Sequence, residues 1–272
     1  MKHALTIITI ISMVWLASCK TETKKKEVTT EEQSILRTED KEIFVSWNDC
    51  KESDSSCTYF KVNYLEIISP DSKAVKTINR DIHAKLLDLL KSYGSGKGTE
   101  TNLKEIGTEF VDDYDAFINE FPESAQTWMI ETTMSKTFES KDMVTFRIEI
   151  VTYTGGAHNN YTTRYLNFNM QNGDQVKLTD VFADTVQLKE ALSTALRKQN
   201  SLSEESDLGE AGFFLENGEI PLSENFGFTK NGFIFHFDPY IIAPFSMGAI
   251  EIEIPRNAVR LKPFGNVKQP GT

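Results

Sequence analysis

The chain has 272 residues, 39% of them hydrophobic and 25% charged, with a formal net charge of −11. A balance that acidic excludes a nucleic-acid binder and a protein held to anionic lipid by its charge, while it permits a cationic partner. The Lys24-Lys25-Lys26 run either offers contact with anionic headgroups or, as is usual for a charge run, is solvated linker.

At the N-terminus Lys2 and His3 precede an apolar run from Ala4 to Leu16, about thirteen residues where roughly twenty are needed to cross a bilayer. The run therefore reads as an export signal. It ends in Leu16-Ala17-Ser18-Cys19, the small-small-cysteine pattern of lipoprotein processing. The expectation is a signal peptide over residues 1–18, cleavage before Cys19, and a membrane anchor through lipid on the Cys19 thiol. The tether expected over residues 19–40 is polar and without an apolar period in its first half. Lys20 in place of an aspartate after the lipidated cysteine points to the outer membrane of an organism that has one. Residues 1–18 hold Lys2 and no acidic residue, so their removal takes the net charge from −11 to −12.

The globular part starts near Ile35. Cys50 and Cys57 are separated by six polar residues with no histidine beside them, which in an exported chain reads as a disulfide between two strands. Alternation over Tyr59–Glu66 marks a strand. A helix follows, capped by Asn79 or Asp81, with Ile82, Leu86, Leu89, Leu90 and Tyr93 on its apolar side, and Gly94-Ser-Gly-Lys-Gly98 ends it. Lacking a strand before it and a helix after it, that glycine loop is a linker and not a phosphate cradle. A second helix over Thr108–Phe121 carries Phe110, Tyr114, Phe117, Ile118 and Phe121 as a core stripe, with Asp112, Asp113, Asp115 and Glu120 as a solvated opposite face.

Trp128 and Ile130 begin a strand, and Val144, Phe146, Ile148 and Ile150 alternate in the next. That strand runs into Tyr153-Thr-Gly155-Gly156-Ala-His158, where paired glycines permit positive φ and a turn can present an imidazole. A strand over Tyr161–Met170 turns at Asn172-Gly173 and returns through Val176 and Leu178. A helix from about Thr185 to Lys198 and a polar crossing over residues 200–219 lead to Phe226 and Phe228, then Phe233, Phe235 and Phe237, with Ile250, Ile252 and Ile254 last. Between these strands lies Asp238-Pro239-Tyr240-Ile-Ile-Ala-Pro244-Phe-Ser-Met-Gly248, apolar and broken by two prolines, a loop either tucked under the sheet or offered to a partner.

Tyr153–His158, Asn172-Gly173, Leu178-Thr-Asp-Val-Phe182, Asp238–Pro244 and Ile250–Ile254, in this order, resemble the paired DUF4163 and DUF3298 domains. Such pairs occur in envelope lipoproteins, beside the catalytic domain of some peptidoglycan deacetylases, and as the outer domain of lysozyme-sensing anti-sigma factors. The resemblance implies an α+β fold, mixed or antiparallel sheets packed with a few helices, in two intertwined subdomains over residues 41–152 and 153–262, with a tail over 263–272. It implies a binding module of the cell envelope, recognising lysozyme, another cationic protein or peptidoglycan, without a cofactor. The alternative is an envelope hydrolase or transferase. Against it, the histidines after the signal are His83, His158 and His236, and no HExxH, GxSxG or metal-ligand pattern is present. His236 alternates with Phe235 and Phe237 and so leaves their face of the strand. The expected binding residues are Tyr153, Gly155, Gly156, His158, Asp238, Pro239, Tyr240 and Pro244, brought together at one end of the sheet, or else His158 only locks its turn through a backbone carbonyl.

Overall fold

The computed structural model describes residues 36–93, 101–124 and 126–263. Cys19, the signal peptide, most of the tether, the Gly94–Gly98 loop and the tail from residue 264 lie outside the described residues. Among the described residues, no helix is long and apolar enough to cross a membrane.

A five-stranded mixed sheet runs in the order β1 (Arg37–Ser46), β2 (Tyr59–Ser69), β3 (Met129–Glu139), β4 (Met143–Tyr153) and β5 (Asn160–Asn169). β1 begins inside the stretch read as tether. Only β2 and β3 are parallel, and the crossover between them carries α1 (Lys73–Leu90) and α2 (Leu103–Glu120), because parallel neighbours cannot be joined by a tight turn. The Cys50–Cys57 disulfide closes the loop between β1 and β2, as the spacing predicted.

Both helices start earlier than the sequence reading placed them. Ser72 caps α1 by accepting from the Val75 N–H at 3.2 Å, and Ala74, Val75 and Ile78 extend the buried side ahead of Ile82. Asn79 is not a cap; its side-chain amide accepts from Ile67 N–H at 3.0 Å and donates to Ile67 C=O at 2.8 Å, tying α1 to the end of β2. Asn102 caps α2, and Glu105 accepts from the Thr101 N–H, so Leu103 and Ile106 join Phe110 in the core while Phe121 is left 50% exposed. α1 and α2 cover one face of the sheet, which supplies Phe60, Val62, Ile130, Val144, Phe146 and Ile148 to that core.

The second sheet is antiparallel, β6 (Phe226–Phe228), β7 (Gly232–Phe237) and β8 (Ile250–Pro255), in that order. Phe226, Phe228, Phe233, Phe235, Ile252 and Ile254 project to one side, where α3 (Leu178–Val181) and α4 (Thr185–Gln199) close a second core through Phe182, Leu188, Leu192 and Leu196. The Asn172-Gly173 turn forms, but the return strand shrinks to one bridge between Phe168 and Gln175 before α3 begins. The described residues lie in one compact unit, 34–272, with two cores that share β4: Met143 belongs to the second core while its neighbour Val144 belongs to the first.

The second sheet lies on the face of the first opposite α1 and α2. Gly227 permits the approach: a Cβ there would stand 2.5 Å from Tyr165 Cδ1 and 3.2 Å from Thr145 Cγ2. Thr145 Oγ1 donates to Asn167 Oδ1 at 2.8 Å, and Asn167 Nδ2 donates to Phe226 C=O at 2.7 Å, so this sheet-to-sheet layer is polar where the outer two are apolar.

α2 is set close to β1 and β2 by Gly107, whose absent Cβ would fall 2.6 Å from Phe60 Cδ1 and 2.9 Å from Val45 Cγ2. Gly107→Ala gains about 1 kcal/mol of helix propensity but overpacks a closed core at about 1–3 kcal/mol. The overpacking wins, and urea unfolding of this variant is expected to show a net loss of about 1 kcal/mol.

Candidate functional site

The loop joining β7 to β8 is the segment the sequence marked as tucked under the sheet or offered to a partner, and it is both. Ile242 and Ala243 are buried, whereas Tyr240 and Ile241 are 60% and 57% exposed. Tyr240 has φ 71°, a left-handed conformation disfavoured for a bulky residue, fixed by Tyr240 N–H to Ala243 C=O at 3.1 Å and Ile241 N–H to Asp238 C=O at 3.1 Å. The strained turn directs both side chains outward. Pro244 starts a short 3-10 turn over Phe245–Met247, and Phe214, also exposed, is drawn alongside by its N–H bonding Ile242 C=O at 2.8 Å.

The Gly155-Gly156 turn takes φ 99° and 107° and is closed by Tyr153 Oη donating to Gly156 C=O at 3.0 Å. It sets His158 flat on Phe245, with ring centroids 3.7 Å apart, and Phe245 lies 5.6 Å from Tyr240. His158 Nδ1 also meets Asn159 C=O at 3.1 Å, the turn-locking contact allowed for in the sequence reading. The turn and the loop thus meet as expected, through Phe245, which the sequence reading did not single out.

Asp238 does not join them. Its carboxylate turns inward, accepting from the Thr163 N–H at 2.8 Å and pairing with Arg164. β5 is an outer strand of its sheet, and its open edge is satisfied by side chains: Asn225 takes the Tyr165 N–H at 2.9 Å and gives to Thr163 C=O at 2.8 Å, while Asp238 takes the Thr163 N–H.

His236 is 3% exposed between the sheets, with Nε2 3.1 Å from Asp238 Oδ1 and Nδ1 3.0 Å from Glu251 Oε1. Glu251 Oε1 also accepts from Tyr165 Oη at 3.3 Å and lies 3.6 Å from Arg147 Nη2. Burial opposes a charge on His236, but the hydrogen bonds to Asp238 and Glu251 and their negative charges outweigh it and raise its pKa. Burial would raise Asp238, yet hydrogen bonds from His236, Arg164 and the Thr163 N–H hold it below the usual carboxylate range. The bond from His236, with Arg147 and Tyr165 behind it, does the same for Glu251 against burial. Tyr165 is pushed up to about 12, first by burial and then by the Glu251 charge. Arg147, Arg164, Tyr165, Asn225 and His236 were not found as a group from sequence, although Glu251 is the cross-strand partner of His236.

A cavity of about 390 Å³ opens beside this network, lined by Arg164, Asn225, His236, Asp238, Ile241 and Lys85 of α1. Asp238, Asn225 and the Glu251 carboxylate bond across the sheets and His236 joins Asp238 to Glu251, while Arg147 Nε is buried without a partner, an arrangement that suits a frame beneath the loop better than an acid–base pair awaiting a substrate. Among the described residues no group of three or more His, Cys, Asp or Glu is placed to hold a metal ion.

The raised His236 contributes stability that is complete below its unfolded pKa near 6.5 and is lost as pH rises through the folded value. The lowered Asp238 and Glu251 contribute above their ordinary values of 3.8 and 4.5, and lose that contribution as pH falls through the folded ones. Thermal unfolding followed by circular dichroism is therefore expected to peak between about pH 4.5 and 6.5. His236→Gln should cost about 2–4 kcal/mol there, and less as pH rises through the raised folded pKa and the wild-type imidazole loses its proton.

Comparison with known proteins accords with this arrangement. Residues 179–257 match the family described as "Protein of unknown function (DUF3298)", and residues 51–161 match "Deacetylase PdaC". No curated protein sequence matches the chain. A crystal structure of a DUF3298 family member from Bacteroides fragilis superposes with TM-score 0.61 at 20% identity, covering 82% of this chain and 91% of that one. A DUF3298 family protein from Pseudomonas aeruginosa superposes with TM-score 0.60 at 17% identity, covering 84% of this chain and 95% of that one. At these identities the likeness is one of fold; the stretch similar to PdaC contains β2, β3 and β4 of the five-stranded sheet, and the stretch similar to DUF3298 contains α3, α4 and the three-stranded sheet.

Proposed function

We propose that this protein is a membrane-anchored, extracytoplasmic binding module of the bacterial cell envelope, held by lipid on Cys19, that recognises a cationic protein such as a c-type lysozyme. The observation that carries the reading is the strained 238–248 loop, which exposes Tyr240 and Ile241 beside Phe214 and Met247 on a frame locked from below by Asp238. Exposed aromatic and aliphatic anchors on a rigid support are what a protein interface needs, since little freedom is lost on binding. The net charge, −11 for the whole chain and −12 without residues 1–18, complements a basic partner and speeds encounter with it.

Peptidoglycan is a second reading, favoured by the match of residues 51–161 to a family described as a deacetylase. That match supports a place in peptidoglycan biology. In the first reading the stacked His158 and Phe245 belong to the contact surface.

Calorimetric titration with a basic c-type lysozyme at low and moderate salt tests the proposal. One-to-one binding that persists at moderate salt is expected, weakened by at least about tenfold in Tyr240→Ser and Ile241→Ser with the thermal midpoint unchanged. Heat that vanishes with salt, or that ignores both substitutions, refutes the loop as the recognition surface; binding to soluble peptidoglycan fragments instead selects the second reading.

A further inference from the structure

The three-stranded sheet has an unused side. The His236 N–H bonds Asn225 C=O at 3.0 Å and the Gly232 C=O accepts from Thr229 at 2.9 Å, so these alternate residues of β7 direct their backbone towards β6. By antiparallel alternation Phe233, Phe235 and Phe237 bond their partners Ile254, Ile252 and Ile250. The N–H and C=O groups of Glu251 and Glu253 are thereby turned away from β7, along the outer edge of β8, with which no strand pairs among the described residues. Pro255 ends that edge, having no N–H to offer.

A groove of about 910 Å³ runs beside this edge, walled on the far side by Glu190, Ala191, Thr194, Ala195 and Lys198 of α4. Small side chains on the helix leave the width open, and β8 contributes Glu251 and Glu253 to the floor. An open strand edge beside a helix is the geometry by which an extended peptide is added to a sheet. Its charge says what kind of peptide. Glu190 and Glu253 stand against Lys198 in the lining, the Glu251 carboxylate being taken up by His236, Tyr165 and Arg147. A second copy of this chain is disfavoured, since β8 paired on itself would set these glutamates opposite one another.

We propose that the groove between α4 and β8 takes an extended segment of another polypeptide as a fourth, antiparallel strand, with a basic side chain opposite Glu253. Residues directly opposite in a sheet share a face. In an antiparallel pair the basic residue of the guest is therefore the one whose amide bonds Glu253, and the apolar residues beside it face Ala191 and Ala195. This surface is separate from the Tyr240 loop and does not depend on its role.

The test is titration of the chain with a short, end-blocked peptide of alternating lysine and valine, followed by calorimetry and by amide hydrogen exchange. One-to-one binding with protection of the Glu251 and Glu253 amides is expected. N-methylation of the lysine amides should weaken it by at least about tenfold, while N-methylation of the valine amides leaves it intact. The exposed substitutions Glu253→Lys and Thr194→Trp should each weaken it similarly, and Ile241→Ser should not. Absence of binding, equal binding of the two methylated peptides, indifference to both groove substitutions, or dimerisation of the chain through β8 would each overturn the proposal.

Discussion

Two sheets packed through a polar layer can be held in only one register when their hydrogen-bonding groups are satisfied in only one. That constraint governs this protein. Thr145, Asn167, Arg147 and Tyr165 on one side meet Gly227, His236 and Glu251 on the other, and an unmatched polar group in such a place would cost about 1–3 kcal/mol. Apolar layers on the outer faces supply most of the burial, but they tolerate sliding far better than this one. The imidazole of His236, bonded at both nitrogens, fixes β7 relative to β8 and to the loop that follows.

The same residues that join the sheets also prepare the surface. Asp238 is at once the partner of His236, a cap for the edge of β5 and the first residue of the exposed loop. Sheet packing, edge protection and the strained turn at Tyr240 are thus mechanically continuous, and a carboxylate expected on the surface instead bonds inward beneath the exposed side chains.

Much of the fold was legible. Alternation located β4, β5, β7 and β8, because a strand buried on one or both faces cannot hide its period of two, and the cysteine spacing gave the disulfide. Helix starts were misplaced where apolar residues before the obvious period, Val75 and Ile78 in α1 and Leu103 and Ile106 in α2, also belong to the buried side. The loop and the His158 turn were legible from proline, glycine and aromatic content. The His236 network was not. Alternation moved His236 off the phenylalanine face, but its burial depends on a second sheet brought there by Gly227, and Arg147, Arg164 and Asn225 are far away in sequence.

β4 hands alternate side chains to the two halves of the molecule: Val144, Phe146 and Ile148 to the helices on one side, Met143 and Thr145 to the second sheet on the other. Loss or gain of one residue within its eleven would exchange the two sets and empty both interiors together. The strand can drift by substitution but not by length. Changes of length are therefore tolerated only in the connections around it, and the span from Met143 to Tyr153 is the fixed ruler by which both interiors are set.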